Sequence, residues 1–177
     1  MRFDTINLHR SHGNGLIKKS LISKMGSNII FEKNVLVFHP ENIEIGNNVY
    51  IGHYSVLKAY HKNKLVIKDD SWIGQFCFFH SAGGIDIGRA VGIGPYVKIL
   101  TSSHVERELD YPVISNDLMY KKVIISDGCD IGTGSVILPG IMIGEGSMIG
   151  AGSVVTKDVP DYSVYAGNPA KLLRKRE

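Results

Sequence analysis

The chain has 177 residues, of which 44% are hydrophobic and 21% charged, with a formal net charge of +3. This composition suits one globular domain and excludes wholesale disorder, and so small an excess of positive charge does not point to nucleic acid. Glycine stands out at 20 residues, and because scattered glycine costs backbone entropy the excess needs an architectural reason.

In chain order, residues 1–30 are polar, with Lys18, Lys19 and Lys24 among scattered apolar positions, and read as a cap or leading coil. The opening Met1-Arg2-Phe3-Asp4 lacks a signal-peptide pattern, and no apolar run reaches the ~18 residues of a membrane span. The expected compartment is therefore the cytoplasm, without stable membrane insertion. From residue 45 an apolar residue recurs every six positions: Ile45, Ile51, Leu57; Ile67, Ile73, Phe79; Ile87, Ile93, Ile99; then Ile125 through Val155. A helix would space its apolar residues three and four apart and a plain strand two apart, so a period of six fits neither.

Glycine follows most of these positions but not the third of each run, where Lys58, His80, Leu100, Leu138 and Thr156 stand instead. A superperiod of 18 thus overlies the period of six, giving a coil of three sides of which one differs. Mostly small residues stand four places after the apolar positions, such as Ser55, Ser71, Cys77, Cys129, Ser135, Ser147 and Ser153, and suit tight inward corners. The fold expected is a triangular parallel β-solenoid over 31–167. Cys77 and Cys129 occupy corner slots and read as packing, being too few for a disulfide framework or zinc knuckle. Trp72 reads as packing or interface.

Residues 104–122 interrupt the repeat as an inserted loop, and long ordered insertions are usually functional. His104 opens that loop. A surface histidine is the plain reading, but loops on rigid scaffolds carry catalytic residues disproportionately. His80 lies on the glycine-poor side, with Leu100 expected directly above it and His104 four residues further on. It is either an acceptor contact or an outward histidine packed on a neighbouring subunit. Residues 168–177, beginning Asn168-Pro169 and ending in basic residues, read as a short helix.

The segment Ile143-Gly-Glu-Gly-Ser-Met-Ile-Gly-Ala-Gly-Ser-Val-Val-Thr156-Lys-Asp-Val-Pro160 resembles the hexapeptide-repeat acyltransferases over roughly residues 43–174. That resemblance implies an all-β, left-handed parallel β-helix of 18 residues per coil, with a short C-terminal helix. The loop Thr101-Ser-Ser-His-Val-Glu-Arg is similar to that of galactoside and maltose O-acetyltransferases, which implies His104 as general base, with Glu106 or Glu108 orienting its ring. Met119-Tyr120 matches the same alignment and implies substrate contact, as does the position of His80, where those enzymes carry Asn. Acetyl-CoA is the co-substrate so implied, contacted by Thr133, Ala151, Thr156, Lys157, Lys171 and Arg174.

An imidazole can take a hydroxyl proton at neutral pH and return it to a departing thiolate. The activity implied is O-acetylation of a sugar or surface-polysaccharide precursor by direct transfer, in a homotrimer with active sites between subunits and without metal. N-acetylation of a nucleotide-linked amino sugar is the alternative. More remote are a trimeric non-catalytic scaffold and a zinc hydratase similar to the γ-class carbonic anhydrases. The hydratase needs three converging histidines, and no second histidine accompanies His104 in its loop.

Overall fold

A computed structural model describes residues 14–107 and 109–177. The described residues form a parallel β-solenoid of three sheets. Sheet A has six strands and includes Ile43–Ile45 and Ile85–Ile87. Sheet B, with eight, includes Val49–Ile51 and Trp72–Ile73. Sheet C, with six, includes Val56–Lys58, Phe78–His80 and Lys98–Leu100. Except for the terminal strand of sheet B, each strand pairs in parallel with the equivalent strand one coil away, and Ile45 meets Ile67, Ile51 meets Ile73 and Leu57 meets Phe79 in register.

The six-residue period sets this architecture. Alternation along a strand turns one or two residues of each short side inward, and Ile45, Ile51, Leu57, Ile67, Ile73 and Phe79 are each at most 1% exposed. Burying one such side chain contributes roughly 1.5–3 kcal/mol, and the axial stack forms one continuous core. The small corner residues close the turns. Ser55, Ser71 and Ser135 donate their hydroxyls to the glycine carbonyls of the next coil, Gly74, Gly88 and Gly150. Cys77 and Cys129 occupy the same kind of slot, with Sγ 3.3 Å from the Gly94 carbonyl and 3.1 Å from that of Gly144. Both are free, buried thiols.

All irregularity collects at one corner. From sheet A to B and from B to C the spacing stays at six, as in Ile45, Ile51 and Leu57. From sheet C back to A it is ten between Leu57 and Ile67, eight between Phe79 and Ile87, and 26 between Ile99 and Ile125. The C–A corner therefore carries the extra chain, including the inserted segment. That segment is a two-stranded antiparallel ribbon, Ser102–His104 against Leu118–Tyr120.

The solenoid starts before residue 31, because Lys24–Met25 and Ile29–Phe31 pair in register with strands of the following coil. Of the cap or leading coil expected over 1–30, residues 1–13 lie outside the described residues. The expected C-terminal helix is not formed. Ser163–Gly167 adds a strand to sheet B, and Ala170–Lys175 turns back to pair with it antiparallel. A helix there would have left the outer edge of Ser163–Gly167 with unpaired backbone groups, and the returning strand covers that edge.

Candidate active site

His104 is half-buried at the end of the first ribbon strand. Its Nδ1 lies 3.0 Å from the main-chain carbonyl oxygen of Asn116. A carbonyl can only accept, so Nδ1 carries the hydrogen and Nε2 presents a lone pair. Asn116 is 9% exposed, and its side-chain amide donates to the Val105 carbonyl oxygen at 3.0 Å. The Val105 N–H donates in turn to the Asp117 carbonyl at 2.9 Å, and Arg107 pairs with Asp117. The carbonyl of Asn116 thus holds the ring. Glu106 is exposed and lines a cavity of about 520 Å³ with Arg107, Tyr111, Pro112, Val113 and Asn116, the residue whose carbonyl holds His104. Glu108 lies outside the described residues.

Ribbon register sorts the neighbours of His104. Residues two apart on a strand share a face, as do residues directly opposite on the partner. Ser102 pairs with Tyr120 and His104 with Leu118, so these four share one face, while Ser103 and Met119 take the other. Of the two expected substrate contacts, Tyr120 is therefore on the face of His104 and Met119 is not.

His80 stands in the column Lys58, His80, Leu100, as its register shows. Its Nε2 lies 2.9 Å from the Tyr60 hydroxyl and its Nδ1 3.5 Å from Ser102 Oγ. The buried Thr101 hydroxyl donates to the His80 carbonyl at 2.6 Å and accepts from the Gly83 N–H at 2.8 Å. His80 thus touches the ribbon face that carries His104. Tyr60, Ser102 and Asn116 escaped the sequence reading because each meets its partner across a coil or across the loop. Only the extra residues after Leu57 hinted at Tyr60.

The expected coenzyme residues fall into three groups. Thr133 and Ala151 stack on the B–C corner, where the Gly152 N–H donates to the Thr133 carbonyl at 2.8 Å. Thr156 and Lys157 are exposed at the other edge of sheet C, five residues or roughly 17 Å of extended chain from Ala151. That second edge is also the corner of the His104 ribbon.

Lys171 and Arg174 are exposed on the terminal strand, opposite Ala166 and Val164. A register shift between Val164 and Tyr165 leaves Leu173 as an extra residue. Two cations three apart would alternate faces on a regular strand, and this bulge returns them to one face. His104 thus stands at the C–A corner and Thr133 and Ala151 at the B–C corner, on opposite edges of sheet C.

Trp72 is 42% exposed and stacks on Tyr50 with ring centroids 5.6 Å apart. Among the described residues, no three His, Cys, Asp or Glu side chains converge as a metal site, and no helix is long and apolar enough to cross a membrane.

The sequence profile of the bacterial transferase hexapeptide (six repeats) matches residues 122–157. Over 98% of its length the chain is 33% identical to a putative acetyltransferase of Saccharomyces cerevisiae, covering 76% of that protein. It is 43% identical over 102 residues to a putative acetyltransferase of Schizosaccharomyces pombe, a match of 57% of this chain and 48% of the relative, about half its length. It is 31% identical to the galactoside O-acetyltransferase of Lactococcus lactis, over 89% of this chain and 65% of that one. The solved structure of AntD, an N-acyltransferase from Bacillus cereus in complex with dTDP and 3-hydroxybutyryl-CoA, superposes with a TM-score of 0.80 at 25% identity. That superposition covers 90% of this chain and 86% of AntD. The coil, its core and these relatives define a hexapeptide-repeat transferase. More closely, the chain belongs to the hexapeptide-repeat acetyltransferases.

Proposed function

We propose that the protein transfers acetyl from acetyl-CoA directly to a hydroxyl of a sugar or surface-polysaccharide precursor, with His104 as general base. The observation that carries this reading is the hydrogen bond from His104 Nδ1 to the Asn116 carbonyl, which leaves Nε2 as an acceptor. Nε2 removes the hydroxyl proton as the oxygen attacks the thioester carbonyl. The tetrahedral oxyanion then collapses, the carbon–sulfur bond breaks, and the imidazolium returns its proton to the departing thiolate. No acyl-enzyme is needed. The similarity to the galactoside O-acetyltransferase supports a sugar hydroxyl as acceptor.

In this reading Thr133 and Ala151 flank the pantetheine arm, Thr156 and Lys157 contact the coenzyme, and Lys171 and Arg174 meet its phosphates, where cations on one face suit an anion. His80 and Tyr120, on the side of the ribbon that carries His104, are the acceptor contacts, and Met119, on the opposite face, is not one of them. The separation of the two corners within one chain supports a homotrimer in which a second copy supplies the opposite edge, closed rotational assembly being common. A cytoplasmic reaction suits a co-substrate carried by coenzyme A.

The second reading is N-acetylation of a nucleotide-linked amino sugar, favoured by the superposition on AntD. Thiol release from acetyl-CoA with a panel of sugars, sugar nucleotides and amino-sugar nucleotides separates the two. Turnover with a hydroxyl acceptor, lost in His104→Ala, is the result expected. Turnover confined to amines transfers the assignment to the second reading, and full activity of His104→Ala overturns the base.

A further inference from the structure

Along the outward face of sheet B, Tyr50 pairs with Trp72, Trp72 with Gly92 and Gly92 with Asp130, each in register one coil further on. The Tyr50 and Trp72 rings lie parallel, with 4° between their planes, so the tyrosine fixes the tilt of the indole and covers one of its faces. The rung on the other side is Gly92, and no side chain from that coil covers the second face. Trp72 is left exposed although it stands on a regular strand.

Gly92 has no local reason to be glycine. Its backbone is not left-handed. Gly74, Gly94 and Gly132 also have ordinary backbone, but there a Cβ would meet main-chain atoms of the next coil at 2.4–2.7 Å. On Gly92 it would meet only the Asp130 side chain, with Oδ1 at 2.9 Å, the far end of a group that can swing aside. The same column carries Tyr50, Trp72, Asp130 and Met148 in other coils. Glycine inside a strand weakens it and often marks the close approach of a ligand.

The empty rung is a slot with an aromatic face on one side and a carboxylate on the other. Asp130 is exposed, and its carboxylate makes no hydrogen bond or ion pair among the described residues. Two strand spacings, about 10 Å, separate Trp72 from Asp130 along the column, and Oδ1 leans back over Gly92. A pyranose has an apolar C–H face that packs at about 4 Å on an aromatic ring. Its hydroxyls donate, and a carboxylate accepts. A cation would also meet both walls, but the net charge of +3 works against a cationic partner.

We infer that this slot is a carbohydrate-binding subsite, in which one pyranose unit of a glycan stacks on Trp72 and donates hydrogen bonds to Asp130. Sheet B lies across the prism from the C–A corner that carries His104, so within the chain the subsite is separate from the base. A glycan held there is retained whether or not one of its hydroxyls is acetylated.

Trp72 is the single tryptophan of the chain, so its fluorescence reports on the slot directly. The full chain is titrated with methyl β-D-glucopyranoside, methyl β-D-galactopyranoside and, as a cationic probe, N-acetyl-L-argininamide. The expected result is a saturable change in emission with a glycoside, about tenfold weaker in Asp130→Ala, abolished in Gly92→Leu, whose side chain fills the slot, and unaltered in His104→Ala. Circular dichroism verifies that each variant is folded. Silence of the wild-type protein with both glycosides overturns the subsite, as does an undiminished response in Asp130→Ala or in Gly92→Leu. A response confined to N-acetyl-L-argininamide assigns the slot to a cationic partner, and loss of the glycoside response in His104→Ala moves the sugar to the base; either outcome overturns the inference. The titration involves no thiol release, so failure of the acetyl-transfer reading would leave a Gly92- and Asp130-dependent response standing.

Discussion

His104 and Asn116 are joined by a single hydrogen bond, 3.0 Å from Nδ1 to a main-chain carbonyl oxygen twelve residues on. Because the acceptor is backbone, the tautomer that exposes Nε2 is fixed by the loop fold rather than by another titrating group. His104→Ala is expected to lower turnover by roughly 10²–10⁴-fold. The ring is only half-buried and the hydrogen bond it loses is a single one to backbone, so the melting temperature should move little. Thiol release and thermal denaturation measured side by side check both halves.

The side chain of Asn116 has a different task, holding Val105 through its amide. Asn116→Ala keeps the carbonyl that orients His104 but loosens the loop that positions it. We expect a stability loss of about 1 kcal/mol, the worth of one part-buried hydrogen bond, and a lower kcat with an unchanged KM for acetyl-CoA. A rise in that KM instead would place Asn116 against the coenzyme.

How much of this was legible in the sequence follows from how local each feature is. The inward stack of Ile45, Ile51 and Leu57, and the small corner residues that close each turn, obey rules internal to a hexapeptide, so the repeat disclosed them. The pairing of Leu100 with His80 followed from counting the superperiod. The end of the chain did not, since Pro169 and the basic spacing of Lys171 and Arg174 suit a helix locally. Pairing with Ser163–Gly167 is non-local and prevailed over that preference. His104 was legible because it opens an interruption in a regular pattern. Its partner Asn116 was not, since the loop between them has no period to count.

The glycine ladder gives a sharper test of the corners. A Cβ on Gly132 would meet the Ala151 nitrogen at 2.4 Å and the Ile149 carbonyl oxygen at 2.6 Å, both backbone atoms of the next coil. Gly132→Ala should therefore cost up to about 3 kcal/mol, at the upper end for overpacking. Two residues on, Gly134 has φ +73° and nothing within 4 Å of such a Cβ. Gly134→Ala bears only the left-handed backbone penalty, about 1 kcal/mol. Urea denaturation of the two variants should show this order, and its reversal would contradict the stacking of the corners.

Burial pushes the thiols of Cys77 and Cys129 up to about 11 from an ordinary value of 9.0. The folded chain keeps both protons over a range in which the unfolded chain releases them. Their stabilising contribution is thus complete below about pH 9 and is lost as the pH rises towards 11, on the order of 2 kcal/mol per thiol. Cys77→Ser/Cys129→Ser, with the hydroxyl of the neighbouring corner slots, should remove most of that alkaline sensitivity. Denaturant midpoints for both proteins between pH 8 and 11 measure it, and parallel curves would mean that other groups set the alkaline limit.

The basic tail divides by face. Lys175 Nζ donates to the Asp161 carbonyl at 3.0 Å and to Ser163 Oγ at 2.9 Å, closing the terminal hairpin onto the last coil. Lys171 and Arg174 are brought to one exposed face by the extra residue Leu173, where Arg174 makes an exposed hydrogen bond to the adjoining Lys175 carbonyl at 3.2 Å. Lys171→Ala and Arg174→Ala should each raise the KM for acetyl-CoA roughly tenfold or more, the worth of one charge-assisted hydrogen bond, with stability unchanged. Lys175→Ala should do the reverse, lowering the denaturation midpoint while leaving the KM near the wild-type value. If all three variants altered the KM alike, the tail would be acting through net charge and the bulge would have no role in presenting its cations.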